Sequence, residues 1–225
     1  MARLQKWLRE ELQKLSRLTI KEKAAYIWGY YKLWIIGIAA VIAITVGLSV
    51  RIAHNIPDCW LYVVFANTRA EAGNGSPLWE EFVAVEGYDL TQKRVEFDSA
   101  SYFDYTKNQA RGNRYYEAFA ALADAGVLDA ITMEPESLAA LGQSGRLLDL
   151  NAPICDSIRD RYSNRLIWYQ PPEGKPIPVG IDVSDSILMT RYHLYSGGCA
   201  LGVAVESRNI EQVERFLAFI LEGTK

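Results

Sequence analysis

Eleven polar residues fall at the carboxyl ends of segments that read as strands, and they are the material here best suited to chemistry. Asn67, Thr68 and Arg69 follow one such segment; Asp98, Ser99, Ser101 and Tyr102 follow the next. Glu134, after Met133, ends a third, and Asp182, Ser184 and Asp185, just ahead of Ser186, end a fourth. Small hydroxyl, amide and carboxyl groups beside a tyrosine suit hydrogen bonding to a small solute. The same residue types also form turns and cap helices for local reasons, so both roles stand for each of them.

Other chemistry has less to work with. There are two histidines, His54 and His193, so a catalytic triad with a histidine base rests on His193 alone, and no motif surrounds it. Cys59, Cys155 and Cys199 are widely spaced, and no paired Cys or His spacing of a zinc site occurs. Asp182 with Asp185, or Asp156 with Asp160, offers carboxylates to a cation, but without the glycine-bearing pattern of a calcium loop. No glycine-rich phosphate loop is present, and Gly197-Gly198 reads as a turn. No cofactor, metal or catalytic residue is expected. For the thiols, a Cys155–Cys199 bridge, three free thiols and an intermolecular Cys59 bridge all remain open.

The elements that must position these residues alternate. Trp60 to Phe65 is a continuous apolar run and reads as a buried strand. Helix spacing follows over 78–85, a strand over 94–97, a helix over 113–125 and a strand over 128–133. Pro135 opens the next helix. Residues 147–150 are extended, 153–162 helical, 166–169 and 177–181 strands around a Pro-rich turn, 200–205 a strand and 209–221 the last helix. Strands alternating with helices predict an α/β class built of parallel βαβ units, with both faces of the sheet covered. Ligands on such sheets sit beyond the carboxyl ends of the strands, which is why the eleven residues matter.

Ahead of this domain, Leu33 to Val50 is an 18-residue run without a charge. At about 1.5 Å per residue it spans roughly 27 Å as a helix, close to the hydrocarbon thickness of a bilayer. A buried core helix rarely goes so long without a polar face. A secretory leader has a shorter stretch ahead of its apolar run than the 32 residues here, so a retained anchor is the expectation. Those 32 residues carry eight basic and three acidic side chains, a net charge of +5, whereas 53–225 carry 15 basic and 24 acidic, a net charge of −9. Basic flanks stay inside, which predicts a cytoplasmic N-terminus and an extracellular C-terminal domain in the cell membrane; Arg51 weakly opposes this. The acidic outer domain argues against nucleic acid as a partner.

Leu4, Trp7, Leu8, Leu12, Leu15 and Leu18 recur at helical spacing between basic residues, an amphipathic pattern that suits either the inner leaflet or a partner helix. Thr19 and Glu22 form a capping box, and a second helix is expected to run from Ile20 straight into the apolar run. Tyr26, Trp28, Tyr30, Tyr31 and Trp34 cluster at the entry as an aromatic belt. The expected organisation is therefore an amphipathic segment 1–32, a transmembrane helix 33–52, a stalk 53–58 and an extracytoplasmic α/β domain 59–225.

Two stretches carry a resemblance. Ala125 to Ile131, followed by Glu136-Ser137-Leu138 and Gly145-Arg146-Leu147-Leu148-Asp149-Leu150, resembles extracellular solute-binding proteins of the type 2 periplasmic-binding fold. Gly202 to Asn209, leading to Ala218-Phe219-Ile220-Leu221, is similar to that family's late strand and closing helix. The block Tyr26 to Lys32 resembles membrane-anchored proteins of Gram-positive bacteria with such ectodomains. The resemblance implies a compact βαβ domain of reduced type 2 periplasmic-binding fold, binding a small solute or peptide and working with a membrane transporter or envelope subunit. Only about 25 residues separate Leu150 from Pro176, where a full member carries much of its second lobe. The alternative is therefore a structural or assembly subunit with a vestigial binding fold and no small-molecule ligand.

Overall fold

The structure is a computed structural model, and it describes residues 19–55, 58–105 and 112–223. The amphipathic pattern of 1–18 lies outside them. The chain divides into two units, Met1–Ile56 and Pro57–Lys225.

In the first unit, helix α1 spans Ile20–Asn55 without a break, starting directly after Thr19 as the capping pattern predicts. Its window Lys32–Ser49 is long and apolar enough to cross a membrane, and none of it is buried. Trp34, Ile38, Val41, Ile42 and Ile44 are all more than half exposed.

The second unit is an α/β domain on one six-stranded sheet. Its elements are β1 (Asp58–Phe65), α2 (Pro77–Glu86), β2 (Lys93–Asp98), α3 (Arg114–Asp124), β3 (Ala130–Met133), α4 (Pro135–Leu141), α5 (Asp156–Arg161), β4 (Leu166–Tyr169), β5 (Ile177–Asp182), α6 (Ile187–Thr190), β6 (Ala200–Val203) and α7 (Ile210–Glu222). The strand order is β2-β1-β3-β6-β5-β4. Only half of it follows the expected parallel pattern. β1 pairs in parallel with β2 and with β3, while β3–β6, β6–β5 and β5–β4 are antiparallel. The reason lies in the connections. A parallel return needs a crossover of a dozen or more residues, usually with a covering helix. The link between β4 and β5 is a seven-residue Pro-rich turn, 170–176, which makes a hairpin. The link from β5 to β6 carries only the four-residue α6.

Both faces are covered, as buried strands require. On one face α2 and α7 pack Leu78, Phe82, Val213, Phe216 and Ile220 against Leu61, Val63, Phe65, Val95 and Phe97. Phe82 touches the rings of Phe97, Phe216 and Phe219 at centroid distances of 5.7, 5.3 and 5.3 Å. On the other face α3 and α4 pack Phe119, Ala123, Leu138 and Leu141 against Val64, Ile131 and Met133. The approach of α4 is very close. A Cβ on Gly180 of β5 would lie 2.4 Å from Leu138 Cδ2 and 2.8 Å from the Leu201 carbonyl oxygen, so only glycine fits.

At the amino edge of the sheet, buried Asp129 joins three segments. Its carboxylate accepts from Tyr62 N at 2.9 Å, Ser207 Oγ at 2.7 Å and Asn209 Nδ2 at 3.2 Å. Burial pushes its carboxyl above the usual range, against the pull of those donors. In the stretch behind the family resemblance, this aspartate is thus a fastener between β1, β3 and the start of α7.

Candidate functional site

The register brings the strand-end residues to one edge. Met133 pairs with Ala200 and Ala200 with Asp182, so the carboxyl ends of β3 and β5 flank the amino end of β6. β1 and β2 are parallel to β3, so their carboxyl ends lie on that edge too. The crossovers also diverge here: α2, between β1 and β2, covers one face, and α3, between β2 and β3, covers the other. This is the kind of switch point where ligands sit on α/β sheets.

Most of the eleven side chains are spent on holding loops. Asn67 adopts φ 62°, a left-handed conformation that asparagine tolerates. Its Nδ2 donates to the Phe103 carbonyl at 2.8 Å, and its Oδ1 accepts from Phe103 N at 3.0 Å. Ser99 Oγ accepts from Ala72 N at 3.2 Å, and Asp98 from Ala100 N at 2.8 Å. Asp182 accepts from Ser184 N at 2.9 Å. Ser184 Oγ accepts from Cys199 N at 3.1 Å and donates to the Cys199 carbonyl at 3.3 Å. Asp185 is held by both guanidinium nitrogens of Arg165 at 2.5 and 2.8 Å, and that contact lowers its carboxyl pKa. Ser101 is buried. These are the local turn and bridging duties the residue types allow. Thr68 and Glu134 are half-buried, and Glu134 opens α4 without capping it through its side chain. Arg69 and Tyr102 are exposed, Tyr102 at 62%.

Residues 183–199 close over this edge and supply what sequence reasoning missed. The segment leaves β5 and returns to β6 through one neck, where Val183 N donates to the Cys199 carbonyl at 2.8 Å. Gly198 makes the return at φ 105°, where a Cβ would stand 2.8 Å from Ser184 Oγ. A compact excursion with closed ends is an Ω-loop. Its far end is fastened to α2, where Glu81 takes Arg191 at 2.7 Å and also the Tyr192 hydroxyl. Burial and that carboxylate push the Tyr192 phenol up to about 12. Arg69 N donates to the Leu194 carbonyl at 2.8 Å, tying the loop to the end of β1.

Tyr195 is the plug. Its ring is 5% exposed, and its hydroxyl pairs with Thr132 Oγ1 at 2.8 Å and donates to the Thr132 carbonyl at 3.0 Å, beneath the carboxyl end of β3. No signal in the sequence separates this tyrosine from its neighbours. Leu188 and Leu194 are fully buried beside it. Lifting these three side chains into water costs about 5–9 kcal/mol at 1.5–3 kcal/mol each. That approaches the whole stability of an ordinary domain, about 5–15 kcal/mol, so the loop is fixed structure and not a lid.

The remaining candidate chemistry is likewise accounted for. His193 is exposed at φ 51°. Asp156 and Asp160 both pair with Arg159. Among the described residues no group of three or more His, Cys, Asp and Glu is placed to hold a metal ion. Cys59, Cys155 and Cys199 are free thiols, the last two buried, and burial raises the pKa of all three. All six strands belong to one sheet, so among the described residues no second sheet builds an opposing lobe. Comparison of the chain with family models, with curated proteins and with solved structures finds no match.

Proposed function

We propose that this protein is a single-pass membrane-anchored, non-catalytic binding module whose outer α/β domain presents the carboxyl edge of its sheet to a polypeptide of a transporter or envelope complex. One observation carries the choice of a polypeptide over an enclosed solute: Tyr195 fills the switch point and hydrogen-bonds Thr132 there. Asn67, Ser99, Asp182 and Ser184 are bonded to nearby backbone, and Arg69, Tyr102 and His193 remain exposed on the same edge. An exposed arginine and tyrosine suit contact with a protein surface, where both residue types are enriched. In this reading the fold is a reduced relative of the type 2 solute-binding fold: one lobe with the second replaced by residues 151–176, and the solute cleft lost with it. The anchor is α1, with the N-terminus cytoplasmic and the acidic domain outside, as the charge asymmetry supports.

Photo-crosslinking tests it. A photoreactive residue is placed singly at Arg69, Tyr102 or His193 in the full chain in its own membrane. All three positions are expected to give the same discrete adduct with a membrane polypeptide, and Glu173 in the β4–β5 turn none. A sugar, amino acid or ion that raises the melting temperature, and loses that effect when Arg69 is changed to alanine, reverses the reading in favour of solute binding.

A further inference from the structure

We propose that β4 carries a two-fold contact between copies of this chain, in which the free edge of the sheet is continued, antiparallel, by β4 of a second copy. This surface is separate from the carboxyl edge described above.

The sheet has two outer strands, β2 and β4, and they are finished differently. An outer strand turns N–H and C=O groups of alternate residues to the open side, and natural sheets guard such an edge with charge or cover. β2 has both. Its sequence, KRVEFD, carries four charged residues. The Val95 carbonyl accepts from Trp79 Nε1 at 3.0 Å, the Phe97 amide donates to Asn74 Oδ1 at 2.7 Å, and the Phe97 carbonyl accepts from Asn74 N at 3.0 Å.

β4 has neither. Its sequence, LIWY, holds no charge and no proline. Opposite residues of an antiparallel ladder exchange both backbone bonds or neither. Trp168 stands opposite Pro178, which has no N–H and whose carbonyl accepts from Leu150 N at 2.9 Å. Trp168, and Leu166 two residues back, therefore turn their N–H and C=O groups to the open side. Among the described residues no backbone group meets them there. The neighbouring side chains are open too. Trp168 is 49% exposed, and Ile154, in the segment that covers the Leu166 face, is 60% exposed.

Charge selects the occupant. Residues 53–225 carry a net charge of −9, so two copies of the domain repel one another in general. Asp156 to Lys175 is the exception: Arg159, Arg161, Arg165 and Lys175 outnumber Asp156, Asp160 and Glu173, four minus three, a net charge of +1. Two copies can meet here without like-charge repulsion. Pairing about Ile167 sets Leu166 of each copy opposite Trp168 of the other, Ile167 opposite Ile167, and Arg165 opposite Tyr169. No charge faces a like charge in this register, and both Leu166–Trp168 pairs exchange their backbone bonds. The contact is isologous, so it consumes both edges and closes. It is also small. Copies anchored by α1 in one bilayer meet at a raised effective concentration, which lets a short strand suffice. An unrelated extended strand is the competing occupant. The paired stretch ends at Tyr169, and the turn with Glu173 lies beyond it.

Disulfide trapping tests the register. Ile167 faces its counterpart as a non-hydrogen-bonded pair, with Cα atoms about 4.5 Å apart, within disulfide range. The full chain in its own membrane carries Ile167→Cys together with Cys59→Ser, which leaves only the buried native thiols, and is oxidised with copper–phenanthroline. A discrete species of twice the chain mass, reversed by reductant, is expected. Arg94→Cys on β2, in the same Cys59→Ser chain, should give little of it. Adding Trp168→Lys puts a charge on the edge, and adding Trp168→Pro removes the outward N–H while sparing the bonds to β5. Each should cut the dimer several-fold with the far-UV spectrum unchanged. Absence of the dimer at position 167 overturns the proposal, as does an equal yield at position 94. So does a dimer that survives both folded 168 variants, or an adduct at 167 only with a chain of another mass. The comparison of positions 167 and 94 decides the matter even where a replacement at 168 fails to fold.

Discussion

Replacing Tyr195 with phenylalanine tests whether the 183–199 loop is fixed structure. The ring volume stays, so the change removes one hydroxyl from a buried site. Thr132 Oγ1, whose residue is fully buried, then loses its partner at 2.8 Å, while the Thr132 carbonyl keeps a 2.9 Å bond from Ala66 N. Leaving a buried hydroxyl unpaired costs about 1–3 kcal/mol. For a domain of this size that lowers the melting temperature by roughly 2–12 °C, at 2–4 °C per kcal/mol. Thr132→Val costs less, because the Tyr195 hydroxyl still donates to the residue 132 carbonyl. The double variant leaves no hydroxyl stranded, so its loss falls short of the sum of the singles by about 1 kcal/mol, within the range of coupling energies for residues in contact. Denaturant unfolding of the three variants measures this directly. Native-state hydrogen exchange adds a second readout. The Leu194 amide, which donates to the Leu188 carbonyl at 2.9 Å, should exchange at a free energy close to that of global unfolding. A Tyr195→Phe change below about 0.5 kcal/mol, the scale of a neutral surface substitution, together with Leu194 exchange far below the global value, refutes the reasoning and makes the loop a lid.

Gly180→Ala puts a methyl group 2.8 Å from the Leu201 carbonyl oxygen, a backbone atom that cannot rotate away. Overpacking of this kind costs about 1–3 kcal/mol or more, read as a lower denaturation midpoint with an unchanged slope. Asp129→Ala strands the Tyr62 amide, the Ser207 hydroxyl and the Asn209 amide together, and about 3 kcal/mol or more should be lost, with faster exchange at Tyr62. The Arg165–Asp185 pair supplies the pH prediction. The folded state lowers the Asp185 carboxyl pKa below its ordinary 3.8, so the pair's contribution is present above that pH and fades as pH falls through the folded value. Asp185 is well exposed, which limits the effect to about 0.2–1 kcal/mol, and Asp185→Asn should match wild-type stability once both are measured at strongly acid pH.

What the sequence determined by itself is local or compositional. The apolar run and the charge asymmetry around it are sums over neighbouring residues, so they could be read without a fold. Element positions were legible for the same reason: 166–169 is β4 at both ends, Pro77–Glu86 extends the predicted 78–85 by one residue at each end, and Ile210–Glu222 is the predicted 209–221 displaced by one residue. The candidate residues do share one edge, where β1, β2, β3 and β5 all end, though β5 reaches it by antiparallel pairing with β6.

The tertiary structure decided what those residues do. Whether β6 runs against β3 and β5 depends on connections that periodicity does not describe, and the expected parallel pairing is found only among β1, β2 and β3. Asn67, Ser99 and Ser184 were candidates for a ligand until their partners at Phe103, Ala72 and Cys199 became visible. Tyr195 meets Thr132 across 63 residues of chain, and Asn209 meets Asp129 across 80. Contacts at that separation exist only after the sheet closes and the cores pack, so no local pattern of spacing can carry them.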